Sequence, residues 1–230
     1  MEGFTYVDIF ATKGIEYIIV IVFLAVSAII YYFVYRPAGS VGALARRAIP
    51  SPMHWFRIPE AIYYHQGHTW ALPEGSDVVK VGIDDFAHRL VGKIEGIEAL
   101  SNKLIQGERG FALKIDGRTI HMLSPVDGNI LEINEEMLKN PERLSEDPYG
   151  NGWLFKVKVP NFKANLRNLI TGRLAIRWMD MVREGLFSRM NYNLGLVYQD
   201  GGIPVQGMAK GLDPERWEDI VREFFLTKEG

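Results

Sequence analysis

Between Tyr17 and Tyr35 the chain runs nineteen residues without a charge, YIIVIVFLAVSAIIYYFVY. As a helix rising ~1.5 Å per residue this stretch covers roughly 28 Å, close to the ~30 Å hydrocarbon thickness of a bilayer. Tyr17 stands at one end, and Tyr31, Tyr32, Phe33 and Tyr35 crowd the other, where interfacial aromatics belong. A helix buried in a soluble core is usually shorter or carries a polar stripe. The flank before the run is not basic and Arg36-Pro37-Ala38 offers no small-residue cleavage site, which argues against a cleaved signal peptide. The pattern predicts a short segment over 1–14 and a transmembrane helix over 15–36. Glu2, Asp8, Lys13 and Glu16 precede the run, whereas Arg36, Arg46, Arg47 and Arg57 follow it before the first acid, Glu60. The positive-inside rule then places the amino terminus outside and the bulk of the chain on the cytoplasmic side of the cell (inner) membrane.

After a Pro-, Gly- and Ser-containing linker over 37–57, with room for a short helix at Val41–Ala48, the pattern becomes one of short alternating runs and turns. Asp77–Ile83 reads as a strand. Asp84 is placed to cap a helix over Asp85–Leu90 that Gly92 ends. Gly107–Ile115 reads as turn then strand, and Thr119–Leu123, Asn129–Ile133 and Trp153–Val159 as further strands. Glu135–Leu144 is expected to be helical with Pro141 late in it, and Asp147–Gly152 is a dense turn cluster. Past Pro160 the period becomes helical: Phe162–Met190 predicts two helices parted by Thr171-Gly172. Tyr192–Gly211 is glycine-rich and loop-like. In the last helix, with Asp213 and Pro214 at its start, Trp217, Ile220, Val221, Phe224 and Phe225 share one apolar face. That face packs either on its own domain or on a partner, so these five are the candidate docking residues.

Composition removes several kinds of chemistry. With no cysteine there is no disulfide, thiolate metal site or cysteine nucleophile. A net charge of −2 gives no overall pull toward nucleic acid. His65-x-x-His68 has a metal-pair spacing, but on a strand positions three apart face opposite sides, and no acid or cysteine nearby completes the site; His54, His88 and His121 are scattered. Asp84-Asp85 reads as a helix start rather than an acid–base pair. Gly201-Gly202-Ile203-Pro204 with Gly207 lacks the lysine-Ser/Thr ending of a phosphate loop. Lys163, Arg167, Arg173, Arg177 and Arg183 form a basic run that suits a solvated face, a membrane surface or an acidic partner.

Across Ile58–Met179 several blocks follow one order. They are Tyr64–Trp70 (YHQGHTW), Val79–Ala87 (VKVGIDDFA), Ser124–Gly128 (SPVDG) with Ile130–Asn134 (ILEIN), and Ser145–Val157 (SEDPYGNGWLFKV). This stretch resembles the glycine cleavage system H-protein family. The resemblance implies a lipoyl-type barrel-sandwich hybrid over 58–179, mainly β with flanking α-helices, preceded here by one transmembrane helix and followed by a helical extension over 180–230. The family carries lipoate on a hairpin-tip lysine eight residues before the proline of its Ser-Pro-Val block. That position here is Gly117, between Asp116 and Arg118. Lys114 lies eleven residues before Pro125, within the preceding strand, and the Arg118 guanidinium is not an acylation target. The resemblance therefore implies no attached cofactor and an ordinary hairpin turn at 116–118.

Together these readings predict a non-catalytic, membrane-tethered interaction or scaffold subunit, with no metal and no cofactor. Its partners would be other subunits of a membrane complex, electron transport being one such setting. The alternative is a lipoyl-type carrier that uses another attachment residue or non-covalent binding.

Overall fold

The computed structural model describes residues 9–35, 55–190, 198–199, 203–204 and 206–228. The chain divides into two compact units, Met1–Gly39 and Ser40–Gly230. In the first, a single helix, α1 (Ile9–Tyr35, 27 residues), covers the predicted apolar stretch. Its described side chains include exposed Tyr17, Ile18, Ile19, Ile21, Phe23 and Leu24. Among the described residues no helix is long and apolar enough to cross a membrane. In α1 the side chains are described only from Tyr17 to Ile29 and at Tyr31, less than the ~20 residues a crossing takes. A helix therefore stands where one was expected, and its crossing of a bilayer is not shown. The helix expected at Val41–Ala48 lies outside the described residues.

The second unit is mainly β with flanking helices. One antiparallel sheet runs β1-β2-β3-β9-β8-β5, and a second runs β4-β6-β7. The first is built from β1 (Tyr63–Tyr64), β2 (Thr69–Pro73), β3 (Val78–Ile83), β5 (Lys103–Leu104), β8 (Gly128–Ile133) and β9 (Phe155–Lys158). The second is built from β4 (Gly96–Ala99), β6 (Arg109–Ile115) and β7 (Arg118–Leu123). Phe111 on β6 meets Phe155 on β9, ring centroids 5.4 Å apart, so the two sheets share one core. Tyr64, Trp70, Phe86, Leu113 and Ile115 are also fully buried there. Trp70 faces Gly82 across the β2–β3 register and its indole N–H donates to the Ile83 carbonyl at 2.8 Å. A Cβ at position 82 would lie 2.5 Å from the indole ring, so the Val-Gly-Ile sequence makes room for the tryptophan.

Helix α2 (Asp85–Val91) begins as its sequence predicts. Asp84 caps it by accepting from the Ala87 N–H, and Gly92, at φ 77°, ends it. The turn at 147–152 is also local chemistry. The Asp147 carboxylate accepts from the Gly150 and Asn151 N–H groups, both at 2.9 Å. Buried Tyr149 donates its hydroxyl proton to the Arg57 carbonyl at 2.7 Å and accepts from the Asp85 N–H at 3.1 Å. Burial holds its phenol pKa well above the ordinary value.

Three expected elements differ. The helix predicted over Glu135–Leu144 is α3 (Glu135–Lys139) followed by a 3-10 turn over Pro141–Ser145, because Pro141 has no N–H and obstructs the preceding turn. His65 and His68 sit in the turn joining β1 to β2, not in a strand. At the carboxy-terminal end, Asp213 accepts from the Glu215 and Arg216 N–H groups and closes a turn. The last helix, α7, starts only at Trp217 and ends at Phe224. The N–H of Arg216 is the main cause that holds the Asp213 carboxyl below its ordinary pKa.

The two helices expected after Pro160 are present as α4 (Phe162–Arg167) and α5 (Arg173–Met190), so α5 runs through position 179, where the resemblance ends. Within the predicted loop 192–211 the described residues form two paired two-residue strands, β10 (Tyr198–Gln199) and β11 (Ile203–Pro204), and the start of helix α6 (Met208–Leu212).

Candidate functional site

Strands β6 and β7 pair in continuous register from Phe111↔Met122 to Ile115↔Arg118, which leaves Asp116-Gly117 as a two-residue loop. Both loop residues have positive φ, 49° and 71°, the requirement of the tight turn whose twist matches a β-hairpin. Aspartate tolerates that conformation and glycine adopts it freely. The Gly117 N–H donates to Glu95 Oε2 at 3.2 Å. A Cβ placed on Gly117 would meet nothing within 4 Å, so the tip has space for a side chain that the residue does not supply. Lys114 is exposed, but it lies within β6 opposite Thr119 and binds Glu98 at 2.7 Å.

The tip is nevertheless occupied, by the carboxy-terminal extension. Asp116 is ion-paired with Lys210 of α6, and Arg118 with Glu218 of α7. Lys210 Nζ also lies 5.2 Å from the Trp217 ring centre, within cation–π range. Two packing contacts hold the extension in place. The Gly207 N–H donates to the Arg89 carbonyl at 2.8 Å, and a Cβ on Gly92 would come within 2.9 Å of Gly207. On α7, Trp217 and Val221 are buried, as is Phe225 just beyond it, with Ile220 and Phe224 half-buried against the core. Phe224 lies 5.2 Å from Phe86, and Arg189 of α5 covers its ring at 5.0 Å. The five residues offered as a docking face are thus an internal packing face, which corrects the docking alternative: their apolar stripe is spent on their own domain.

The other candidates serve the fold. His68 is buried between Phe86 and Trp178, ring centroids 4.3 and 4.9 Å away, and its Nδ1 is 2.8 Å from Asp84 Oδ2. Asp85 accepts from the Arg57 N–H at 2.9 Å and from Arg89 Nε at 3.2 Å. Both carboxylates of the Asp84-Asp85 pair are therefore committed to partners. His65 accepts from the Gly67 N–H; burial first, and His68 second, lower its pKa. Burial likewise lowers that of His88, whose Nδ1 has no hydrogen-bond partner among the described residues. Among the described residues no group of three His, Asp or Glu side chains is placed to hold a metal ion. His54, Gly201 and Gly202 lie outside the described residues.

Sequence reasoning missed Lys210 and Glu218. The only signals were a lysine and a glutamate of opposite sign to Asp116 and Arg118, some hundred residues away in the chain, and nothing in local pattern joins them.

The sequence profile of the glycine cleavage H-protein family matches residues 62–180. A probable glycine cleavage system H protein 2 of Sulfolobus acidocaldarius is 38% identical over 126 residues, covering 52% of this chain and 83% of that protein. The glycine cleavage system H protein of Halothermothrix orenii is 34% identical over 128 residues, 54% of this chain and 98% of its own length. A crystal structure of a glycine cleavage system H protein from Mycobacterium marinum superposes with a TM-score of 0.46 at 24% identity, covering 54% of this chain and 98% of that one.

Proposed function

Because this chain belongs to the glycine cleavage H-protein family, we propose that it is a non-catalytic member that carries no lipoyl group and works as a membrane-tethered interaction subunit. The observation that carries this reading is the hairpin tip. Glycine stands where the resemblance places the acylated lysine, and the residues on either side are ion-paired with the extension. A swinging arm needs a free tip, whereas this tip is latched. The tether is supported by the 27-residue helix α1, about 40 Å long, and by the charge-free Tyr17–Tyr35 run with arginines on one flank only. On this reading the amino terminus lies outside and the H-like domain faces the cytoplasm, where it joins a larger membrane complex.

Intact mass of the chain co-expressed with a lipoate ligase tests the first half: the expected result is the unmodified mass, and a lipoyl adduct overturns it. Carbonate extraction tests the second. The chain should stay with membranes, and release into the supernatant sinks the tether.

One observation favours the carrier alternative. An amine does reach the tip, from Lys210. It is ion-paired with the Asp116 carboxylate, which engages the amine that an acylation would need. If the wild-type chain gains an adduct that Lys210→Arg abolishes, the carrier reading replaces the scaffold one.

A further inference from the structure

We propose that the exposed side of α5, where Arg173 and Arg177 stand beside Leu174 and Met181, lies on an anionic phospholipid surface. At about 100° per residue, Arg173, Leu174, Arg177, Met181, Glu184 and Ser188 fall in one sector of the helix, and all six are exposed. Ala175, Trp178, Met179 and Leu186 point the other way and are buried. Leu174 and Met181 are 69% and 64% exposed, among the most exposed large apolar side chains of the second unit. A pair of apolar side chains flanked by arginines, projecting from the outer face of a helix, suits the headgroup boundary, where the apolar groups enter the acyl region and the cations meet phosphate.

The arginines of this face have no ion-pair partner among the described residues. Several cations elsewhere on the domain are matched: Lys80 with Glu74, Lys114 with Glu98, Lys156 with Glu132 and Lys158 with Asp77. Among the described residues Arg173 and Arg177 have no ion-pair partner, and neither do Lys163 and Arg167, the exposed cations of α4 just before them. From Asn161 to Met179 the chain holds these four cations and no acid. Arg183, further along α5, is paired with Asp180. Glu184 is the anion in the exposed sector, set against two arginines. Cations near an anionic leaflet each strengthen the partition about fivefold, and the proposed tether keeps the domain within reach of that leaflet. The inference therefore rests on the tethered reading.

The absence of cysteine makes a direct test available. The full chain, with Met181→Cys labelled by an environment-sensitive fluorophore, is reconstituted into vesicles of phosphatidylcholine alone or mixed in equal parts with phosphatidylglycerol. The expected result is a blue shift in the anionic vesicles only, reversed by ~1 M salt, where the Debye length falls to about 3 Å. Arg173→Glu with Arg177→Glu changes four units of charge and should reduce the lipid-contacting population on the order of a hundredfold or more. Since both arginines are exposed and unpaired, the melting temperature should hold. A label at exposed Leu131, on β8, should not respond. The proposal is overturned by no shift at Met181, by equal shifts in both lipids, or by a shift that survives the double reversal. Failure of the tether shows separately, as loss of flotation with phosphatidylcholine vesicles whatever the colour of the label.

Discussion

Two turns of the domain have opposite economies. At Asp147–Gly152 every polar partner is close at hand or in the core: the aspartate binds its own turn, and Tyr149 ties that turn to Arg57 and Asp85. At Asp116-Gly117 the turn is made by backbone conformation, and its flanking side chains are committed to α6 and α7. The first turn builds the domain. The second is bound by a segment that lies beyond the family's span, and on the proposed reading this difference separates what an H-like fold needs from what a carrier needs.

The contrast can be broken most forcefully through the extension. Trp217→Ala with Phe224→Ala removes one buried and one half-buried ring. Loss of the tryptophan alone should cost roughly 3–5 kcal/mol, lowering the melting temperature of the full chain in detergent by about 10 °C or more. An unchanged melting temperature would mean that the extension is not part of the folded unit. Next in size, Asp147→Ala leaves two backbone N–H groups without their carboxylate and should cost about 2–4 kcal/mol by urea unfolding. Asp116→Ala, by comparison, loses an exposed ion pair and a residue suited to positive φ, about 1 kcal/mol. If the two aspartates cost the same, the distinction between the turns fails.

A sharper probe leaves stability nearly alone. Lys210→Ala with Glu218→Ala unlatches the tip, and amide exchange at Gly117 and Arg118 should speed up while exchange at Gly150 and Asn151 does not. Uniform acceleration would point to global destabilisation instead. The smallest effect concerns pH. Burial lowers the folded-state pKa of His65 and His88 from the model-compound value of 6.5, so the unfolded chain takes up protons first. Stability should be fully present above about 6.5 and fall as pH drops below it, toward the depressed folded values. His88→Leu should flatten part of that slope in melting curves taken between pH 7 and 5.

Much of the fold was legible because its signals are local. Asp84 and Gly92 announced both ends of α2, and Asp116-Gly117 announced the hairpin. The continuous burial of Thr69–Leu72 gave no alternation to read, so β2 passed unrecognised except through the resemblance of its tryptophan block. Helix α6 was hidden by Gly207 and Gly211, residues that usually mark loops. The candidate site was half legible. The turn at Asp116-Gly117 could be read, but the pairing of Lys210 with Asp116 spans 94 residues and arises only from tertiary packing. The face of α7 shows the same limit: periodicity identifies which side of a helix is apolar, not what that side will meet.

The latch also has a direction in time. The β6–β7 hairpin leaves the ribosome well before α6 and α7, and at synthesis rates of about 5–20 residues per second the stretch from position 123 to position 210 takes roughly 4–17 s. During that interval a nascent hairpin stands with its tip uncovered, open to any modifying enzyme that recognises it. A lysine at 117 would make the outcome a race between acylation and the arrival of the extension. On the proposed reading, glycine at 117 removes that race.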